Sequence, residues 1–228
     1  MRSFSKRHSM YKPIYIAVLY CILASSVVVL SFVVVYADDS LNSALMGEGQ
    51  FIEVASCVLW LVCAVLGIVT AVRWRSITWV YIGCVTFLFA LRELDFDKKF
   101  TTMGLLKSKF YFSNAVPMGE KIIGIFVIVA LLFLAVNLIR IFVQTVRKNH
   151  YKITWESCIS LSVFGMLGVA KTFDGLPRKL GDFGIETSIF AAQVFVAAEE
   201  VLELGAPLMV LLGLYAYTLR RNEEQAGR

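Results

Sequence analysis

Residues 121–148 read KIIGIFVIVALLFLAVNLIRIFVQTVRK. Between Ile122 and Val146 the one charge is Arg140, close enough to the end of the run to snorkel. The run exceeds the roughly 20 apolar residues with which an α-helix crosses about 30 Å of hydrocarbon. It reads as a transmembrane helix, and it sets the scale for the rest of the chain.

Five more apolar runs read as spans beside it. The first, Ile14 to Tyr36, follows Arg2, Lys6, Arg7 and Lys12. It has the flank of a signal peptide, with Val35-Tyr36-Ala37 resembling a cleavage site. A signal core needs about 7–15 apolar residues, so the greater length favours a retained span over a cleaved one. With the others, the spans lie at about 14–36, 51–72, 77–96, 122–146, 154–171 and 187–219. No internal repeat, low-complexity tract or linker separates them. The expected fold is all-α, a single polytopic transmembrane helical bundle of about six spans.

Composition agrees. The 228 residues are 58% hydrophobic and 17% charged, against about 45–50% and 25% in a globular domain. The formal charge of +5 is spread in short clusters beside apolar runs, as topology determinants are, so no nucleic-acid partner is expected. Cys21, Cys57, Cys63, Cys84 and Cys158 all fall within apolar runs without metal spacing, and His8 and His150 lie outside the spans. A histidine-ligated intramembrane zinc site is thereby excluded.

Laying six spans through the links places the amino terminus, the 73–76 turn, the 147–153 turn and the carboxyl tail on one side. Arg73, Arg75, Arg147, Lys148, Lys152, Arg220 and Arg221 make that side the cytosolic one, N-in and C-in. Lys98, Lys99, Lys107, Lys109 and Lys121 then fall on the opposite side, against the rule. There Gly104-Leu105-Leu106 and Phe110-Tyr111-Phe112 offer a stretch able to lie along the interface.

Counting outward at about 1.5 Å per residue brings ionisable groups from four spans to one depth near the outer surface. These are Glu53 at the outer boundary; Arg92, Glu93, Asp95 and Asp97; Lys171 and Asp174; and Glu199, Glu200 and Glu203. Charges in lipid cost about 2.5–3.5 kcal/mol each at the centre, so such groups should face the bundle and pair. Glu199 and Glu200 each share a helical stripe with Glu203, as Glu93 does with Asp97. Pro207 frees the carbonyl of Glu203 from its helical bond, and Gly205 allows another helix close. Two readings stand: a site for a cation or a proton at Glu93, Asp97, Glu199, Glu200 and Glu203, or salt bridges through Arg92 and Lys171 that fix helix register. Prolines also kink many membrane helices without binding anything. Gly124, Gly165 and Gly168 read as helix contact points.

The stretch Leu91 to Thr101, followed by Lys107 to Tyr111, Val116 to Lys121 and Ala198 to Leu204, resembles an uncharacterised family of bacterial polytopic inner-membrane proteins. The resemblance implies a bacterial inner membrane with a periplasmic outer side. It carries no activity and no site residue.

Three functions fit. The first is binding or transport of a cation, a proton or a cationic head group by outward-facing carboxylates, with oxygen ligands suited to calcium or magnesium. No broken pair of spans in matching halves marks alternating access. The second is a metal-dependent enzyme acting on a lipid or lipid carrier, with Arg92, Lys171, Arg178 and Lys179 gripping phosphate. The third is a non-catalytic envelope scaffold. The lipid bilayer is the expected partner, with a second copy or another membrane protein possible.

Overall fold

A computed structural model describes residues 3–36, 51–105, 107–148 and 155–226, apart from the side chains of residues 3–13, 34, 97 and 98. The basic amino-terminal side chains, Ala37, Leu106, His150, Lys152 and the side chains of Asp97 and Lys98 therefore lie outside the description. The described residues are helical, without strands. In chain order the helices are α1 (Ser3–Val35), α2 (Phe51–Trp74), α3 (Ile77–Glu93), α4 (Phe96–Phe100), α5 (Ser108–Phe112), α6 (Met118–Lys148), α7 (Trp155–Phe173), α8 (Leu176–Asp182) and α9 (Ile189–Ala226).

Three segments are long and apolar enough to cross a membrane: Ile14–Val33 within α1, Phe51–Trp74 and Met118–Lys148. A fourth is added if α7 and α8, bent by 51° at a short break, form one broken span. Among the described residues the protein is thus all-helical, with three to four helices suited to a bilayer. α3 has 17 residues and α9 has 38. At 1.5 Å per residue these measure roughly 25 Å and 57 Å, one short of the hydrocarbon core and one nearly twice its thickness.

Two compact units divide the chain, residues 1–59 with 153–228, and residues 60–152. In the first, Ile16 of α1 packs with Ile159 of α7 and with Met209, Leu212 and Ala216 of α9. Tyr20 and Ser162 share a hydroxyl bond of 2.6 Å. Further along, Val27 and Ile52 pack with Ala197 and Val201, and Tyr36 lies against Phe190. α1 therefore runs antiparallel to α9 and alongside α7, and the start of α2 joins them at the end where α9 begins. A Cβ at Gly205 would stand 2.8 Å from Cγ2 of Val27, so the expected close helix approach is made by α1. Gly165 and Gly168, expected as contact points, have nothing within 4 Å where a Cβ would stand.

In the second unit, α2 and α3 form a tight antiparallel pair. A Cβ at Gly67 would stand 3.2 Å from Cα of Gly83, and the Trp60 ring stacks on Phe89 at 4.8 Å. Arg75, with φ 48°, makes the left-handed turn between them. Tyr81 of α3 meets Phe133 of α6 edge-on at 6.2 Å. The segment joining α3 to α6, expected to lie along the interface, is partly packed into its own unit. Phe110 is fully buried, and a Cβ at Gly124 would stand 2.9 Å from its ring. The Tyr111 hydroxyl donates to the Leu105 carbonyl at 2.9 Å, and burial pushes that phenol above its usual range. Phe112 stays exposed.

Candidate functional site

Ala197, Val201 and Gly205, four apart, are buried along one stripe of α9, and Glu203, Ala206 and Pro207 are buried around the other side of the helix. Glu203 is 8% exposed, whereas Glu199 and Glu200 are half-buried. Proline has no N–H, so Pro207 leaves the Glu203 carbonyl without its helical donor. That donor comes from α2: the fully buried Ser56 hydroxyl lies 3.4 Å from the Glu203 carbonyl oxygen. The distance is long for a hydroxyl bond, whose usual length is about 2.7–2.8 Å. Sequence reasoning passed over Ser56. The available signal was a hydroxyl three residues past Glu53, on the same helical stripe and within an apolar run.

Glu53 sits half-buried in the first turn of α2, where the helix dipole and unpaired N–H groups favour a carboxylate. Contacts of Ile52 with Val201, and of Phe173 with Phe195 at 5.5 Å, put Glu53, Lys171, Asp174 and the α9 glutamates toward one end of their unit. The opposite end carries the ion pair between Arg220 and Glu156, at 2.7 Å. Lys171 is salt-bridged to Asp174 one turn away, both with exposed side chains. Lys179 donates to the Asp174 carbonyl at 2.6 Å, across a bend where Gly175 takes φ 62°. Lys171 and Lys179 thus fasten the α7–α8 break.

In the other unit, Glu93 has a side chain 7% exposed, with an Arg92 guanidinium nitrogen 4.0 Å away. Asp95 takes φ 46°, a left-handed conformation that Asp tolerates better than most residues. Asp97 lies in α4 and its side chain is outside the described residues. Each unit therefore encloses a glutamate, Glu203 in one and Glu93 in the other.

Among the described residues, no three His, Cys, Asp or Glu side chains gather closely enough to hold a metal ion. The side chain of Asp97, one of the five acids expected to form a cation or proton site, lies outside the described residues. An apolar groove of about 310 Å³ runs between α1 and α9, lined by Val27, Leu30, Val201, Leu204 and Leu208. Ser26, also on its wall, spends its hydroxyl on the Leu23 carbonyl. The groove has the polarity of a lipid tail and offers nothing to an ion. Comparison with protein-family models, with curated proteins and with solved structures finds no match.

Proposed function

We propose that this chain is a multi-pass protein of the bacterial inner membrane, about six spans with both termini in the cytosol, that binds and passes a proton through carboxylates near its outer face. Glu203 is the central group, with Glu199 and Glu200 of the same helix in the relay. The observation carrying this reading is the burial of Glu203 inside α9, next to the helical rung that Pro207 removes and Ser56 replaces. An ionisable residue held within a membrane helix away from lipid is expensive to keep, which favours a functional role. A proton needs one carboxylate and a divalent cation needs several, so the absence of a three-ligand group among the described residues favours the proton.

The six-span count adds α3 and α9 to the apolar helices. α3 spans roughly 25 Å and the left-handed turn at Asp95 carries the chain on beyond it, and α9 crosses with its basic end, Arg220 and Arg221, emerging in the cytosol. The pairing of Arg220 with Glu156 is consistent with α7 starting where α9 ends.

The test is reaction of the full-length protein in membranes with a hydrophobic carbodiimide, which modifies carboxyls out of reach of water. Mass spectrometry is expected to find the adduct on Glu203 and none at that position in Glu203→Gln. Proton flux across proteoliposomes is expected to fall to the level of empty vesicles in the variant. A wild-type protein that neither reacts at Glu203 nor carries flux sinks the reading.

A further inference from the structure

From position 98 to 121 the chain carries five lysines and one acid, Glu120, with Asp95 and Asp97 just before. This is no loose basic loop. Phe110 and Val116 are buried, and the Glu120 carboxylate accepts from the Thr102 backbone N–H at 2.8 Å and from its hydroxyl. That acid is engaged within the fold. On this fixed frame Phe112 is 87% exposed, Met118 73% and Phe100 68%, and the side chains of Lys99, Lys107 and Lys109 are exposed among them. The Phe96 and Phe100 rings lie 4.4 Å apart on one short helix.

Rigidly held rings interleaved with ammonium groups suit the boundary of a bilayer. The rings enter the acyl edge while the lysine stems reach phosphates, and an anionic surface strengthens the attraction. The segment runs directly into α6, a helix long and apolar enough to cross, so it lies at a membrane surface whichever way the chain is inserted. We infer that residues 96–121 form an interfacial platform that binds the anionic phospholipid head groups of the surrounding bilayer. Lipid phosphates then supply the counter-charge for lysines placed on the side where basic residues are disfavoured. The platform uses none of the α9 glutamates and holds whatever their role.

Native mass spectrometry of the full-length protein in detergent, titrated with phosphatidylglycerol or phosphatidylcholine, tests this. Phosphatidylglycerol is expected to be retained in preference, and each lysine removed to weaken it by up to about fivefold. Replacing Lys99, Lys107, Lys109 and Lys121 together by Gln should equalise the two lipids. Equal retention by wild type, or a preference that survives the four substitutions, overturns the proposal. Hydrogen exchange on the wild-type chain is an independent measurement should the variant fold poorly. Amides of residues 99–113 are expected to exchange more slowly in phosphatidylglycerol nanodiscs than in phosphatidylcholine nanodiscs, and equal rates overturn the proposal as well.

Discussion

The hydroxyl of Ser56 on α2 reaches the main-chain carbonyl of Glu203 on α9, 3.4 Å away, at the rung that Pro207 deprives of its donor. A hydroxyl from one helix thus replaces an amide missing from another. The carbonyl of a buried glutamate, which could have served as a ligand oxygen, is taken into the packing of its own unit.

Ser56→Ala is expected to destabilise the protein by about 0.6 kcal/mol, the average found for side-chain hydrogen bonds inside membranes. Pro207→Ala restores the amide and makes the hydroxyl redundant, so the serine substitution should then cost nearly nothing. Unfolding in mixed micelles followed by circular dichroism gives all four corners of the cycle. Strictly additive losses would mean the two residues act separately.

Gly205→Ala places a Cβ 2.8 Å from Cγ2 of Val27. Val27 is β-branched and stiff at χ1, so it cannot swing aside cheaply. A loss of about 1–3 kcal/mol is expected from overpacking, and Val27→Ala in the same chain should recover most of it. A loss that Val27→Ala leaves untouched would show that α1 is not the helix that approaches.

Gly124→Ala should loosen the platform, because its Cβ meets the Tyr111 hydroxyl at 2.8 Å and the Phe110 ring at 2.9 Å. Faster proteolysis between residues 104 and 113 is the expected readout. Gly165→Ala and Gly168→Ala meet nothing within 4 Å and should be neutral, or stabilising by about 0.5–1 kcal/mol through helix propensity. If either of the latter pair destabilises instead, a second copy packs on that face of α7.

Hydropathy made the long helices legible because lipid demands apolar residues all round. It marked the core of each run better than its ends. The run Ile122–Val146 belongs to a helix that extends to Met118 and Lys148, since polar residues at the interface continue a helix that hydropathy no longer sees. The short helices α4, α5 and α8 read as loop because one or two turns leave no clear period. Phe110 read as an interfacial residue from its neighbours, but the space opened by Gly124 draws it inward, and a contact across 14 positions leaves no local trace. The pair Lys171 and Asp174 was legible, being one turn apart on one helix stripe. Ser56 with Glu203 joins residues 147 positions apart and was not.

The exposed ion pairs and the enclosed glutamate separate under substitution. Lys171 and Asp174 have side chains 71% and 41% exposed, so Lys171→Gln or Asp174→Asn should cost under about 1 kcal/mol. Proton flux in proteoliposomes should persist in both. Reversing Glu156 to Arg should destabilise the helix ends it ties to Arg220, and reversing Arg220 to Glu as well should restore them, since the pair survives with its charges exchanged. Glu203→Gln keeps the shape of the side chain and the Ser56 bond, which uses the main-chain carbonyl, so it should fold like wild type while flux is lost. Wild-type flux in Glu203→Gln together with a loss in Lys171→Gln would move the function from the α9 interior to the rim at the α7–α8 bend.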